Sequence, residues 1–431
     1  MSTDELRTLT TDWQRSIVID TTIDDALIKK LSPQILQLRQ ASTDPITVGI
    51  DSYGGSLSSL ETLLGLLTGP TQTARSGQII TVATHRAYSS AANLLAFGSY
   101  AVALRHSEIL FHDVRYGGME DVTPEKARDA ARSLQDANDS FSLRLAHKVI
   151  PRLVWAYIDL RPQFAEVQRD FAKRHSGYSK LVAAYAPPVD GYECFDLPSF
   201  ATTLWRNLSR RNDSLISNVM NRLAQWIHLT SISRTLPTYR PKGSRIPGML
   251  DGGRYLHKLF KGKPEHFQQC EDSLKLFFSL FISDVSSSKA DTVDPDAALE
   301  RALREHAVLQ SLNDPKHVSY ATDLMERHSS VFFGGVNTKE LEDQSEQERE
   351  KLREKAAPHA RLLWHFCVLL CRELFEGEHV LSPRDAQLLG LVDEVAGGGT
   401  VQSRREWKAK RLSQQQDLQA NLADPESDAR S

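Results

Sequence analysis

Along the first third of the chain, short continuous apolar runs alternate with stretches whose apolar residues recur every three or four positions. Ser16–Asp20, Pro45–Asp51 and Gln78–Thr84 are runs of the first kind, the pattern of strands buried on both faces. Between them, Asp24–Arg39 sets Leu27, Ile28, Leu31, Ile35 and Leu38 on one side of a helix, and Ser56–Leu67 does the same with Leu57, Leu60, Leu64 and Leu67. Ser89–Ala96 predicts a third helix, and Ala101–Leu104 and Ile109–His112 predict two further strands. Such alternation predicts an α/β layered fold around a largely parallel sheet. Thr123–Lys148 then reads as one long helix, with Thr123 placed to cap it and Pro124 in its first turn.

From about Pro151 the strand pattern fades. Successive helical stretches follow, broken at Pro187-Pro188, Pro237, Pro241, Pro247 and Gly252-Gly253. Ser233–Arg245 is basic and proline-rich, which reads as an exposed loop. Lys339–Lys355 carries Glu-to-Lys/Arg spacings that support a solvated helix. The α/β signature returns near the end. Leu362–Phe375 has the pattern of an amphipathic or buried helix, Ser382 caps a short one that Gly390 ends, and Leu391–Val395 predicts a closing strand. The division that follows is a discontinuous core domain over 1–150 and 362–396, a mainly helical insertion over 151–361, and a polar tail over 397–431.

Composition changes this picture little. The chain has 431 residues, 40% hydrophobic and 25% charged, which is ordinary for a globular protein. A net charge of −3 argues against nucleic-acid binding by bulk charge. Cys194, Cys270, Cys367 and Cys371 lack zinc-ligand spacing; the last two share a helix face and read as core packing. The polar opening MSTDELRTLTTDWQRS lacks the apolar stretch of a secretory leader. The longest apolar run, Leu276–Ile282, is far short of the roughly 20 residues of a spanning helix. A cytoplasmic setting, with no metal and no cofactor, is the expectation.

Three segments carry the candidate chemistry. Gly54-Gly55 ends a strand and precedes an apolar helix. It reads either as a tight turn or as an amide-lined oxyanion hole backed by the helix dipole. Ser89 and Ser90 open the next apolar helix; a serine there is an N-cap or a nucleophile. His112 closes a strand, where it is either structural or a base at the sheet's carboxyl edge.

Their order and spacing resemble the ClpP family, the proteolytic subunit of the ATP-dependent Clp protease, within the ClpP/crotonase superfamily. The family's Asn-Ser-Pro-Gly-Gly is similar to Asp51-Ser52-Tyr53-Gly54-Gly55, and its Gly-x-Ala-x-Ser motif to His85-Arg86-Ala87-Tyr88-Ser89, with the helix running to Gly98. Its strand ending in Ile-His resembles Leu110-Phe111-His112, and its closing motif resembles Leu381-Ser382-Pro383-Arg384-Asp385-Ala386 through Gly390-Leu391-Val392-Asp393. Arg15–Asp25 is similar to the family's first strand and helix start. The family's spacing from the glycine that matches Gly98 implies Ser89 rather than Ser90 as the nucleophile. The resemblance implies a ClpP/crotonase-like layered fold and a Ser-His-acid peptidase. Ser89 attacks, His112 accepts the proton, and the amides of Gly55 and Ser90 hold the oxyanion, with Gly54 shaping the turn. It also implies a homo-oligomer acting on peptide or unfolded protein, fed by an unfoldase or activator, with the long helix forming ring contacts.

The chain departs from the family in places. His85 stands for a glycine and Tyr53 for a proline, which makes the rim bulkier. The family's aspartate position, carried back from Ser382, falls on Leu374; Glu373 and Glu376 flank it, and Glu373 is the candidate third member. About 200 residues lie between Pro151 and Arg361, where the family has a few tens. Two rival readings follow: an inactive ClpP-like scaffold or partner-binding subunit, and a crotonase-like acyl-thioester enzyme that needs no Ser/His pair.

Overall fold

The computed structural model describes residues 11–69, 77–115, 123–174, 197–212, 214–220, 222–223 and 363–396. The first half is a run of alternating strands and helices: β1 (Ser16–Ile19), α1 (Asp25–Ala41), β2 (Ile46–Ser52), α2 (Leu57–Thr68), β3 (Ile79–Tyr88), α3 (Ser90–Phe97), β4 (Tyr100–Leu104) and β5 (Glu108–His112). It continues with α4 (Pro124–Arg174), α5 (Leu197–Asn207), β6 (Glu378–Leu381), α6 (Pro383–Leu388) and β7 (Glu394–Ala396). Two compact units divide these elements: residues 1–111 with 379–431, and residues 112–378.

In the first unit the sheet order is β1-β2-β3-β4-β7, with β5 pairing β3 and β6. The pairings β1·β2, β2·β3, β3·β4, β3·β5 and β4·β7 are all parallel. Parallel strands of this kind are covered on both faces, and the sequence supplies the apolar residues to do so. Ile17, Ile19, Val48, Ile50, Ile79, Ile80 and Val82 are buried in the strands, and Leu27, Leu31, Ile35, Leu60 and Leu63 are buried from α1 and α2. Both helices start where the pattern predicts. Asp24 accepts from the Leu27 amide at 2.8 Å, and Ser56 is the N-cap of α2. The mostly parallel α/β architecture agrees with the expected fold class.

The strand β3 runs four residues beyond its predicted end. Its register against β2 passes from Ile50↔Ala83 to Ser52↔Ala87, so two extra residues bulge out of β3 between them. Past the bulge, β3 leaves β4 and pairs with β5 through Arg86, Ala87 and Tyr88. This change of partner carries the strand to Ser89.

At the carboxyl end, the Ser382 side chain accepts from the Asp385 amide at 3.1 Å. Gly390 takes a φ of 74°, the left-handed residue that commonly ends a helix. Leu391 then folds back to donate to the Ala386 carbonyl at 2.8 Å. That return is why β7 begins at Glu394 rather than at Leu391 as the apolar run predicts. Asp393 seats the strand, accepting from the Ala101 amide at 2.9 Å through its carboxylate and donating its own amide to the Ala101 carbonyl at 2.7 Å.

In the second unit, α4 is 51 residues long and runs past Lys148, the end that the sequence predicts, and through Pro151. Leu145, Val149, Ile150, Leu153 and Leu160 are buried along it, and this packing outweighs the backbone hydrogen bond that the proline removes. Residues 363–374 are helical as predicted and almost wholly buried, including Trp364, Phe366, Cys367 and Cys371. The Cys367 thiol donates to the Ala146 carbonyl at 3.5 Å. Burial, with Cys371 beside it, pushes that thiol well up, so the pair packs as apolar groups. Cys194, Cys270, the basic loop 233–245, the charged run 339–355 and the tail 397–431 lie outside the described residues. Among the described residues, no helix is long and apolar enough to cross a membrane.

Candidate active site

Ser89 sits in the one-residue turn between β3 and α3, with φ 56° and ψ −124°. It is the single non-glycine residue at positive φ among the described residues. Its side chain makes no capping hydrogen bond, so the N-cap reading does not account for it. A sharp, strained strand-to-helix turn presents a side chain at the top of a sheet, the geometry that nucleophilic serines use in other α/β enzymes. The backbone fixes the turn on both sides. The Ser89 amide donates to the Leu110 carbonyl on β5 at 2.8 Å, and the Ser89 carbonyl accepts from Ala92 at 3.0 Å and Asn93 at 3.2 Å.

The Gly-Gly turn packs directly on this serine. A Cβ placed on Gly54 would stand 2.5 Å from the Tyr88 carbonyl oxygen, 2.7 Å from the Ser89 Cβ and 3.0 Å from the Ser90 nitrogen. Gly54 also has a φ of 94°, so both conformation and space exclude a side chain. A Cβ on Gly55 would collide with the Ile23 carbonyl oxygen. The turn is pinned from below: Ile23 donates to the Gly54 carbonyl at 2.8 Å and Ser56 to the Ile23 carbonyl at 2.9 Å. The Gly54 amide is consumed by the Ser52 hydroxyl at 3.1 Å, which itself donates to the Thr21 carbonyl at 2.6 Å. The amides of Gly55 and Ser90 donate to no protein acceptor among the described residues. Ser90 also opens α3, so its amide lies at the positive end of that helix. Two unspent amides beside a strained serine can hold an anionic oxygen.

His112 is the last residue of β5, two positions beyond the Leu110 that receives the Ser89 amide. Its Nδ1 lies 2.6 Å from the Asp113 carbonyl oxygen. A carbonyl only accepts, so Nδ1 carries the hydrogen and Nε2 is left as the acceptor. This is the tautomer that a general base needs.

Glu373 is placed differently from the role read for it. It is buried, with Oε1 accepting from Asn218 Nδ2 at 2.6 Å and Oε2 at 3.0 Å from Arg222 Nη1. Arg222 also pairs with Glu376, while Arg372 lies 3.3 Å from Asp139 and 3.6 Å from Glu376. Burial pushes the Asp139 carboxyl up, with Arg372 opposing it. The carboxylate of Glu373 is thus taken up by an internal charge network, and the Nδ1 of His112 is held by a backbone carbonyl instead.

The two departures at the rim turn out to belong to one cluster. The bulge in β3 turns His85 outward, 62% exposed and 3.4 Å from Asp51. Asp51 accepts from Arg86 Nε at 2.9 Å and from the Arg86 amide at 3.3 Å, and the Arg86 hydrogen bond holds the Asp51 carboxyl below its usual range. The guanidinium of Arg86 lies over the Tyr53 ring at 4.3 Å and also reaches the Tyr53 hydroxyl. Tyr53 meets Tyr88 edge-on at 5.6 Å. Burial, and then the hydrogen bond to Glu108, push the Tyr88 hydroxyl up to about 12. In the sequence, Arg86 and Tyr88 have no role beyond their places in the serine motif and nothing singles out Glu108, although a charged Arg inside the apolar run IITVATHRAY is the sign of an interrupted strand.

The sequence finds no match among curated proteins. Residues 4–142 match the Clp protease family, a span that covers β1 to β5 and the start of α4, and with them Gly54, Gly55, Ser89, Ser90 and His112. The closing motif around Ser382 lies beyond the match. Over residues 4–142, which hold the strained serine and the glycine turn, the chain is similar to the Clp protease family.

Proposed function

We propose that the chain is a ClpP-like serine peptidase. The observation that carries this reading is the Ser89 turn, held at positive φ against Gly54 with the Gly55 and Ser90 amides unspent beside it. Ser89 Oγ attacks the peptide carbonyl as His112 Nε2 takes its proton, and the two amides receive the oxyanion. The proton passes to the leaving amine, and water then hydrolyses the acyl-enzyme with the same base. By the family resemblance, the working form is a homo-oligomer in the cytoplasm that admits peptide or unfolded chain from an unfoldase or activator partner.

A fluorophosphonate probe tests this on the full chain. Labelling is expected in the wild type and in Ser90→Ala, which keeps its backbone amide, and is lost in Ser89→Ala. Peptidase activity should fall by roughly 10⁴-fold or more in Ser89→Ala. A folded, assembled wild type that takes no label favours the inactive scaffold, the reading to which the engagement of Glu373 by Arg222 lends weight. Turnover of an acyl-thioester that survives Ser89→Ala would favour the crotonase-like reading.

A further inference from the structure

We infer that Glu378, held by Arg115, is the positioning carboxylate of His112, in place of Glu373. This rests on the peptidase reading above and names the acid that it lacks. His112 closes β5 and Glu378 opens β6, and these two strands pair. Arg115, three residues beyond His112, donates to Glu378 Oε1 at 2.9 Å and lies 3.5 Å from Asp113. The carboxyl of Glu378 is held low, first by the hydrogen bond and charge of Arg115 and then by the charge of His112. The carboxylate is therefore the form present at neutral pH. From α4, Asn138 reaches the Val114 amide at 3.0 Å, whereas Asp139 faces Arg372. Among the described residues of this unit, the charged groups placed about His112 are Asp113, Arg115 and Glu378.

The division of labour follows from the Nδ1 hydrogen bond. Asp113 supplies the carbonyl that fixes the ring's tautomer, a task a triad carboxylate performs elsewhere. What remains is to balance the imidazolium that forms when Ser89 gives up its proton, and Glu378 does this through charge without touching Nδ1. Arg115 orients Glu378 and partly offsets it.

The pH dependence of fluorophosphonate labelling at Ser89 tests the assignment, in full-length wild type, Glu378→Gln, Arg115→Gln, the double variant and Glu373→Gln. Arg115 and Glu378 have side chains 55% and 61% exposed, so these substitutions leave the fold in place. The midpoint of the acid limb should fall by roughly 0.2 to 0.7 pH in Glu378→Gln, the range for exposed charge pairs. It should rise by a similar amount in Arg115→Gln and return towards wild type in the double variant. A merely structural pair would not move the limb in opposite directions. A limb that moves in neither single variant, or moves only in Glu373→Gln, overturns the inference and leaves the peptidase reading standing. A wild type that takes no label overturns both.

Discussion

Ser89 keeps its φ of 56° because Gly54, the Leu110 carbonyl and the first turn of α3 hold its backbone from three sides. Such a conformation costs a non-glycine residue about 1–3 kcal/mol, and glycine adopts it freely. Ser89→Gly is thus expected to unfold at higher denaturant than Ser89→Ala, by about 1 kcal/mol, with neither variant taking the probe. Equal stability would show that the turn is unstrained. Gly54→Ala should do the reverse: the new methyl meets the Tyr88 carbonyl and the Ser89 Cβ, so about 1–3 kcal/mol is lost and labelling falls with it. Retained labelling at wild-type rate would separate the glycine from the serine's geometry. The places of Ser89, His112 and Gly54 at a helix start, a strand end and a turn were legible in the sequence because spacing along strands and tight turns is local. The strain at Ser89 and the carbonyl under His112 Nδ1 were not, since a residue string carries no φ and no backbone hydrogen bond.

At the scale of elements, the bulge in β3 sets how the site's rim is built. Asp51 on β2 bridges it through the Arg86 side chain and amide, so the strand that reads as ending at Thr84 is carried on to Tyr88. Apolar periodicity located β1, β2, α1 and α2 well, because each is a regular piece with one buried pattern. It failed where tertiary contacts override the pattern: at the bulge, at Pro151 inside α4, and at the return of Leu391 that delays β7. The Asp51 carboxyl is depressed in the fold, so its contribution is full above the usual aspartate value of 3.8 and is lost as pH falls through the lower, folded value. Asp51→Asn is therefore expected to lower the melting temperature at neutral pH. The gap to wild type should close as the pH is taken below that range. A gap that persists unchanged in acid would mean that the bulge is held by something other than the ion pair.

The whole molecule divides into a sheet-bearing unit and a helical unit, and they are held together internally by different means. The first rests on apolar strands and helices, with Ile17, Ile50, Ile80 and Leu63 among its buried residues. The second has an apolar core too, but a charge network runs through it: Arg222, Arg372 and Glu373 are each at most 9% exposed. A buried ion pair contributes little net stability while intact, yet removing one partner leaves a bare charge in a low-dielectric interior and costs about 3–5 kcal/mol. Arg222→Met should therefore weaken residues 112–378 selectively, because Glu373 loses the cation at 3.0 Å and, among the described residues, keeps Asn218 alone. Hydrogen exchange resolves this by segment. Faster exchange is expected in peptides covering 141–160 and 363–375, while peptides from β1, β2 and β4 keep their protection. Equal loss of protection in both sets would mean that the two units unfold as one, and that the charge network stabilises the sheet as well as the helices around it.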